Sequence, residues 1–240
     1  MKAMLLSAGK GTRLKPFTDD HPKCLARAGG ATLLKHNIRF LKEAGVDSIV
    51  INTHHHSQQI IDYVSTHDFG LEIHISEEET LLETGGGILN AKEHFLDEEF
   101  FVVCNSDIYT NFKLKELIAN HTLRNSMVTL AVADRKTARY LRFNDQAYLC
   151  GWENSETGEE LSWNDDSYIR RAFNGYQVLS PNIFKYMEDR GSVFSTIPVY
   201  LAAAYAGEKV GAYEIDESYW IDIGTPENLE SLKKHLENPA

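Results

Sequence analysis

An apolar run, Met4-Leu5-Leu6, ends in Ser7-Ala8 and opens directly onto a loop with two glycines and several cations. That loop reads Gly9-Lys10-Gly11-Thr12-Arg13-Leu14-Lys15-Pro16-Phe17-Thr18, followed shortly by Pro22-Lys23-Cys24-Leu25. A strand from Lys2 to Ser7 with no polar face must be covered on both sides, which is the situation of a central strand in a parallel sheet. The glycine loop lets backbone N–H groups approach phosphate oxygens while Arg13 and Lys23 neutralise their charge. One stretch therefore predicts a layered α/β fold with an anion site at a strand end.

The following hundred residues alternate strand and helix patterns. Thr32 to Ala44 carries Leu33, Leu34, Ile38 and Leu41 on one helical face, with Gly45 as its C-cap. Strands are predicted over Ser48 to Asn52, Leu71 to Ser76 and Glu99 to Cys104, with helices over Gln58 to Val64 and Gly85 to Phe95. Pro16 and Pro22 argue against regular helix between residues 8 and 25. This alternation favours a parallel sheet with right-handed crossovers, whose ligands bind beyond the carboxyl ends of the strands. The glycine loop, the Glu83 segment and Asp107 all follow strands and should meet on one rim. The second half has shorter strands, over Ser126 to Ala133, Tyr140 to Phe143, Tyr148 to Trp152 and Phe173 to Leu179. A helix over Ser195 to Ala206 follows, then strands over Lys209 to Ile215 and Tyr219 to Ile223. A last helix is predicted from Thr225, with Thr225 as N-cap and Pro226 in its first turn. No linker separates the halves, so residues 1–240 read as a single unit. The first half, 1–110, carries the anion loop; the second half, 111–240, is inserted over the sheet rim and includes the C-terminal helix.

A chain of 240 residues can bury a sizeable core without staples. Its net charge of −11 argues against non-specific nucleic-acid binding, which needs a basic footprint, but leaves room for a locally positive pocket. Cys24, Cys104 and Cys150 are far apart and odd in number, so neither a disulfide framework nor a zinc site is expected. No apolar run approaches the ~20 residues of a membrane span. The expectation is a soluble cytoplasmic protein, monomer or homodimer, without a membrane partner.

Three further segments carry chemistry. Asp107 ends a buried strand in Asn105-Ser106-Asp107, where an acid is costly unless it is paired or binds a metal. Asp222 lies in Trp220-Ile221-Asp222-Ile223-Gly224-Thr225-Pro226. In Leu82-Glu83-Thr84-Gly85-Gly86-Gly87-Ile88, glycines allow close approach to a flat base, and the Glu83 carboxylate can accept an N–H from uracil N3 or guanine N1. His54-His55-His56 invites a metal reading, but neighbours on a strand end point to opposite faces, so a loop packed near the site is the preferred reading.

The first loop is neither a P-loop, because Lys10 precedes Gly11, nor a dinucleotide fingerprint, because Leu14 stands where the third glycine belongs. The string L-S-A-G-K-G-T-R-L…P…T…P-K instead resembles the sugar-1-phosphate nucleotidyltransferases. The W-x-D-I-G-T segment around Asp222 is similar to the one that closes their site. The L-E-T-G-G-G-I form is most similar to N-acetylmuramate-1-phosphate uridylyltransferases. The resemblance implies a Rossmann-like three-layer α/β/α architecture, the GT-A-like nucleotidyltransferase fold, with a mainly parallel central sheet and an inserted sugar-binding part. It implies that Asp107 and Asp222 hold Mg²⁺. Arg13 would then meet the β- and γ-phosphates, and Lys23 would sit between the α-phosphate and the incoming sugar phosphate. Ala8, Gly9, Gly11 and Thr12 would contact the nucleotide, with Glu83 and Gly86 reading its base. Phe173-Asn174-Gly175-Tyr176 resembles the sugar-pocket strand, assigning Asn174 and Gly175 to the sugar. One of Arg135, Arg139, Arg142, Arg170 and Arg171 could reach the sugar or its phosphate.

The implied reaction joins an NTP to a sugar-1-phosphate and releases pyrophosphate, with UTP and N-acetylmuramate-1-phosphate or a similar hexose-1-phosphate as the expected pair. The alternatives weighed are GTP with mannose-1-phosphate or a heptose-1-phosphate, a CTP:phosphocholine-type cytidylyltransferase, and a non-catalytic relative that binds nucleotide sugars.

Overall fold

The computed structural model describes residues 1–163 and 167–237. The predicted first strand is β1 (Lys2–Leu6), where Ala3, Met4 and Leu5 are fully buried. The glycine loop then makes one short turn of helix, α1 (Phe17–Asp20), directly after Pro16. The hairpin β2 (Arg27–Ala28) and β3 (Ala31–Thr32) leads into α2 (Leu33–Glu43). Thr32 caps that helix by accepting a hydrogen bond from the Lys35 N–H at 3.1 Å. Gly45 ends it at φ +98°, with the Val46 N–H returning to the Leu41 carbonyl. Then follow β4 (Ser48–Thr53), α3 (Ser57–Ser65), β5 (Glu72–Glu77), α4 (Glu83–Asn90) and β6 (Phe101–Asn105).

β1 lies between β4 and β6, parallel to both, and β4 pairs in parallel with the edge strand β5. Glu72 and Glu77 at the ends of β5 are exposed, the kind of charge that discourages pairing with another chain.

Beyond residue 105 come β7 (Ile108–Thr110), α5 (Leu114–Arg124), β8 (Val128–Ala133), β9 (Arg139–Phe143), β10 (Leu149–Asn154), β11 (Glu160–Ser162) and the long β12 (Ile169–Leu179). The described chain ends with α6 (Thr196–Tyr205), β13 (Val210–Glu214), β14 (Trp220–Asp222) and α7 (Pro226–Glu237). The C-terminal part of β12 pairs antiparallel with β6 on one side and β8 on the other, while its first three residues pair with β9. Both halves thus contribute to one ten-stranded sheet, mixed at β12 and parallel through β6, β1, β4 and β5.

The side-chain alternation of β1 divides the interior into two cores. Met4 joins Ile88, Val199 and Tyr200 on the face covered by α4 and α6. Ala3 and Leu5 join Leu34, Ile38, Leu41 and Leu117 on the face covered by α2 and α5. This gives the expected three layers. A third cluster packs Leu232 of α7 against Leu14, Ala26, Ala28 and Leu33, drawing the C-terminal helix onto the first loop.

Several elements depart from the sequence reading: the β2–β3 hairpin, β7, β11, α1 and α5 form where none is predicted. The turn α1 forms in a segment expected to be irregular, because Pro16 can precede a helix without costing an internal N–H. Helix α5 was not predicted: only Leu114, Leu117 and His121 face inward, a weak apolar stripe that includes a polar residue.

Candidate active site

The glycine loop is built by close contact. Gly11 adopts φ +60°, and a Cβ there would lie 2.9 Å from Thr18 and 3.2 Å from Lys23. The Gly11 carbonyl accepts from the Leu14 N–H and the Thr18 hydroxyl, both at 2.9 Å. Gly9 faces open space. Gly9, Gly11, Thr12, Arg13, Lys23 and Asp107 line a cavity of about 250 Å³ at the carboxyl end of β1. Ala8, 5% exposed, supports the loop from beneath.

The two acids are brought together by different routes. Asp107 sits in the turn between β6 and β7, where the Ser106 N–H and hydroxyl both donate to the Leu6 carbonyl. Asp222 ends β14, which pairs antiparallel with β7 so that Asp222 stands opposite Ile108. The Ile223 N–H then donates to the Asp107 carbonyl at 2.9 Å. This two-stranded ladder brings together two acids far apart in the chain.

Lys23 is 12% exposed and lies between them, paired with Asp107 and 3.4 Å from Asp222 Oδ1. Arg13 Nη2 approaches Asp222 Oδ2 at 3.7 Å while its side chain remains 71% exposed, free to follow a ligand. Gly224 makes room for this approach, since a Cβ there would meet Arg13 and Asp222 at about 3 Å. Cys24 also lines the cavity, but burial pushes its thiol up to about 12, so it is inert as a nucleophile.

Two carboxylates that both reach Lys23, one of them lining the cavity, fit a hard divalent cation that draws its other ligands from phosphate and water. Among the described residues no group of three or more potential metal ligands exists, so any such ion would be completed by substrate.

The segment expected to contact the base is tied to the first loop by a buried polar chain that sequence reading missed. The Ser7 N–H donates to Asn52 Oδ1 at 2.7 Å, Asn52 Nδ2 donates to Glu78 Oε1 at 2.7 Å, and the Leu82 N–H donates to Glu78 Oε2 at 3.0 Å. Gly87 packs on this pair; a Cβ there would lie 2.7 Å from Glu78 and 2.8 Å from Asn52. The available signal is a lone amide, Asn52, directly after the apolar run Ile49–Ile51 of β4. Glu83 is exposed at the start of α4 with φ +61°. Gly86 has a different neighbourhood from the one expected. Its N–H and that of Gly85 both donate to the Phe194 carbonyl, and its Cα lies against the Ser192 backbone.

On β12, Gly175 adopts φ +78° and lies against Ile108 and Asn105. Asn174 is fully buried, and its Oδ1 accepts from Arg135 Nε at 2.7 Å. Of the other arginines singled out, Arg142 and Arg170 pair with Glu153, and Arg171 pairs with Glu214. His54 Nδ1 lies 3.0 Å from the Glu78 carbonyl, while the His55 and His56 rings pack together with centroids 4.0 Å apart. Burial, with both neighbouring histidines, lowers the His55 pKa.

Comparisons with known proteins bear on the family and the fold. The family model described as "Nucleotidyl transferase" matches residues 2–143. Mannose-1-phosphate guanylyltransferase 1 of Arabidopsis thaliana is 28% identical over 249 residues, an overlap that covers 99% of this chain and 65% of that protein's length. The "Probable glucose-1-phosphate cytidylyltransferase" of Bacillus subtilis is 27% identical over 98% of this chain and 95% of its own. UDP-glucose pyrophosphorylase from Acinetobacter baumannii superposes with a TM-score of 0.82 at 18% identity, over 99% of this chain and 94% of that one, a likeness of fold. No described helix is long and apolar enough to cross a membrane. The family match extends over more than half of the chain, and the protein belongs to the nucleotidyl transferase family.

Proposed function

We infer that this protein transfers a nucleotidyl group from an NTP to a sugar-1-phosphate, giving a nucleotide sugar and pyrophosphate. The observation that carries this reading is the meeting of Arg13, Lys23, Asp107 and Asp222 at the glycine loop. A phosphate oxygen of the sugar-1-phosphate attacks the α-phosphorus in line, and the bond to the pyrophosphate oxygen breaks. The attacking oxygen is already anionic, so neither a protein nucleophile nor a general base is required.

The main barrier is electrostatic. Two unit charges about 4 Å apart repel by about 4 kcal/mol at an effective dielectric of 20. Lys23 bridges the two phosphate groups, and Arg13 follows the charge that develops on the departing pyrophosphate. Ala8, Gly9, Gly11 and Thr12 hold the nucleotide from the loop backbone. Asp107 and Asp222 would hold a divalent cation, magnesium on our reading, whose charge stabilises the reacting phosphate oxygens.

For the nucleotide, the relatives favour GTP with mannose-1-phosphate or a related hexose-1-phosphate over the UTP and N-acetylmuramate-1-phosphate suggested by the glycine motif. Glu83 suits that choice, since an exposed carboxylate can accept both the N1–H and N2–H of guanine, whereas uracil offers only N3–H. Glu78 is less suited, because both of its oxygens are already hydrogen-bonded. The test is pyrophosphate release from each of the four NTPs crossed with mannose-, glucose- and N-acetylmuramate-1-phosphate. GTP with mannose-1-phosphate is expected to be fastest. A preference for UTP with N-acetylmuramate-1-phosphate would reverse the substrate reading, and no release from any pair would overturn the transfer reading.

A further inference from the structure

Among the described residues Arg124, Arg135, Arg139 and Arg190 of the second half have no carboxylate within ion-pair distance, and of these Arg135 is the one stacked on Trp220, two residues from Asp222. Arg142, Arg170 and Arg171 each have a glutamate within ion-pair distance. Arg135 is part-buried, yet among the described residues no carboxylate lies within ion-pair distance of it. Its guanidinium lies over the Trp220 ring with Cζ 4.2 Å from the centroid. Nε donates to Asn174 Oδ1 and Nη2 to the Phe173 carbonyl, both at 2.7 Å. The Trp220 indole N–H donates to the Asn174 carbonyl at 2.9 Å. The guanidinium is therefore fixed on three sides, by two hydrogen bonds and a stacked ring, while Nη1 has no protein partner among the described residues.

The location gives this orphan charge a meaning. Trp220 is two residues from Asp222, and Asp222 is near enough to act electrostatically on Arg135. Arg13 approaches Asp222 as well. Asn174 and Phe173, which hold Arg135, belong to the same strand as Gly175. A cation held rigidly and partly out of water, with no carboxylate in direct contact, gains from an anion that pairs with it, and an arginine fork suits phosphate geometry.

We propose that Arg135 is the acceptor-side phosphate anchor: its free Nη1 binds the phosphomonoester of the sugar-1-phosphate, while Asn174, Phe173 and Trp220 hold the guanidinium in place. This rests on the transfer reading above. It makes Arg135 a substrate-contacting residue distinct from the nucleotide-binding Arg13.

The test uses Arg135→Met and Arg135→Lys, each checked for an unchanged unfolding midpoint and for retained NTP binding. Trp220 gives a direct signal, because phosphate arriving at the stacked guanidinium alters its surroundings. Titration with mannose-1-phosphate and glucose-1-phosphate, and with inorganic phosphate as the probe of the phosphate alone, is followed by tryptophan fluorescence and by calorimetry. The expected result is at least a tenfold weaker dissociation constant in Arg135→Met, a partial loss in Arg135→Lys, and no fluorescence response in Trp220→Phe. In steady state, the KM for the sugar-1-phosphate rises at least tenfold while that for the NTP changes less than twofold. Binding of the phosphomonoesters to Arg135→Met as tightly as to the wild type overturns the proposal, as does an equal rise in both KM values. Failure of the wild type to release pyrophosphate with any sugar-1-phosphate bears on the transfer reading alone, since the binding titration does not depend on turnover.

Discussion

The Tyr176 hydroxyl donates to Asn37 Oδ1 at 2.6 Å across the interface between β12 and α2. Both residues are almost fully buried. Asn37 Nδ2 in turn lies 3.2 Å from the Ser106 carbonyl and 3.1 Å from the Ile108 carbonyl, the two groups flanking Asp107. The backbone that carries a proposed metal ligand is thus held by a buried amide, whose orientation is set by a buried phenol. Removing either partner leaves a desolvated polar group unpaired, at a cost of about 1–3 kcal/mol. Asn37→Ala and Tyr176→Phe are expected to lower stability in urea by that amount. Asn37→Ala should also reduce turnover, because the Asp107 turn loses its support.

The glycines of α4 make a sharper prediction. A Cβ at Gly86 would lie 2.0 Å from the Ser192 carbonyl oxygen, a backbone atom that cannot swing aside. Gly86→Ala should destabilise by about 1–3 kcal/mol through overpacking. In contrast, a Cβ at Gly211 in β13 meets only ordinary contacts at 3.6 Å and beyond. Gly211→Ala should be tolerated, and thermal unfolding of both variants checks the contrast.

His121 supplies the pH dependence of stability. It is 4% exposed, accepts or donates a hydrogen bond at Thr129 Oγ1, and is lowered to about 4 by burial. The unfolded chain binds its proton near pH 6.5, above the folded value, so between these limits the unfolded state holds more protons. Stability from this group is complete above about pH 6.5 and falls as the solution is acidified towards pH 4. The loss reaches roughly 2 kcal/mol at pH 5. Unfolding at pH 7.5 and pH 5 should show this difference in the wild type and a smaller one in His121→Gln.

Much of the site was legible because its chemistry is local. The glycine loop, Arg13 and Lys23 lie within one short segment, and Asp107 is conspicuous at the end of an apolar strand. What sequence reading could not supply was long-range pairing. The β7–β14 ladder joins Asp107 to Asp222, and no periodicity in either segment announces it. Asn37 looks like an ordinary polar position on an amphipathic helix until Tyr176 and the Asp107 turn are seen around it. Asn52 and Glu78 form a pair only after β4 and β5 align. The run Gly85-Gly86-Gly87 was read as room for a ligand, whereas these glycines meet Phe194, Ser192 and the Glu78–Asn52 pair. Glycine reports that something comes close, without saying whether it is a substrate or the chain itself.

Lys23 tests the electrostatic design from the cationic side. It is the least exposed of the four charged groups and separates two carboxylates. Lys23→Ala leaves those acids facing each other and removes the charge proposed to bridge donor and acceptor phosphates. Turnover should fall by about 10²-fold or more, with a raised KM for the sugar-1-phosphate. A change confined to NTP affinity would show that Lys23 serves only the nucleotide.

On this reading Asp107, joined to Asp222 and Lys23, forms one nucleotidyl-transfer centre. Its most direct test is the rate of pyrophosphate release by Asp107→Asn at saturating NTP, sugar-1-phosphate and magnesium. The rate should fall by about 10²-fold or more with the thermal unfolding midpoint retained. A rate close to that of the wild type would contradict it.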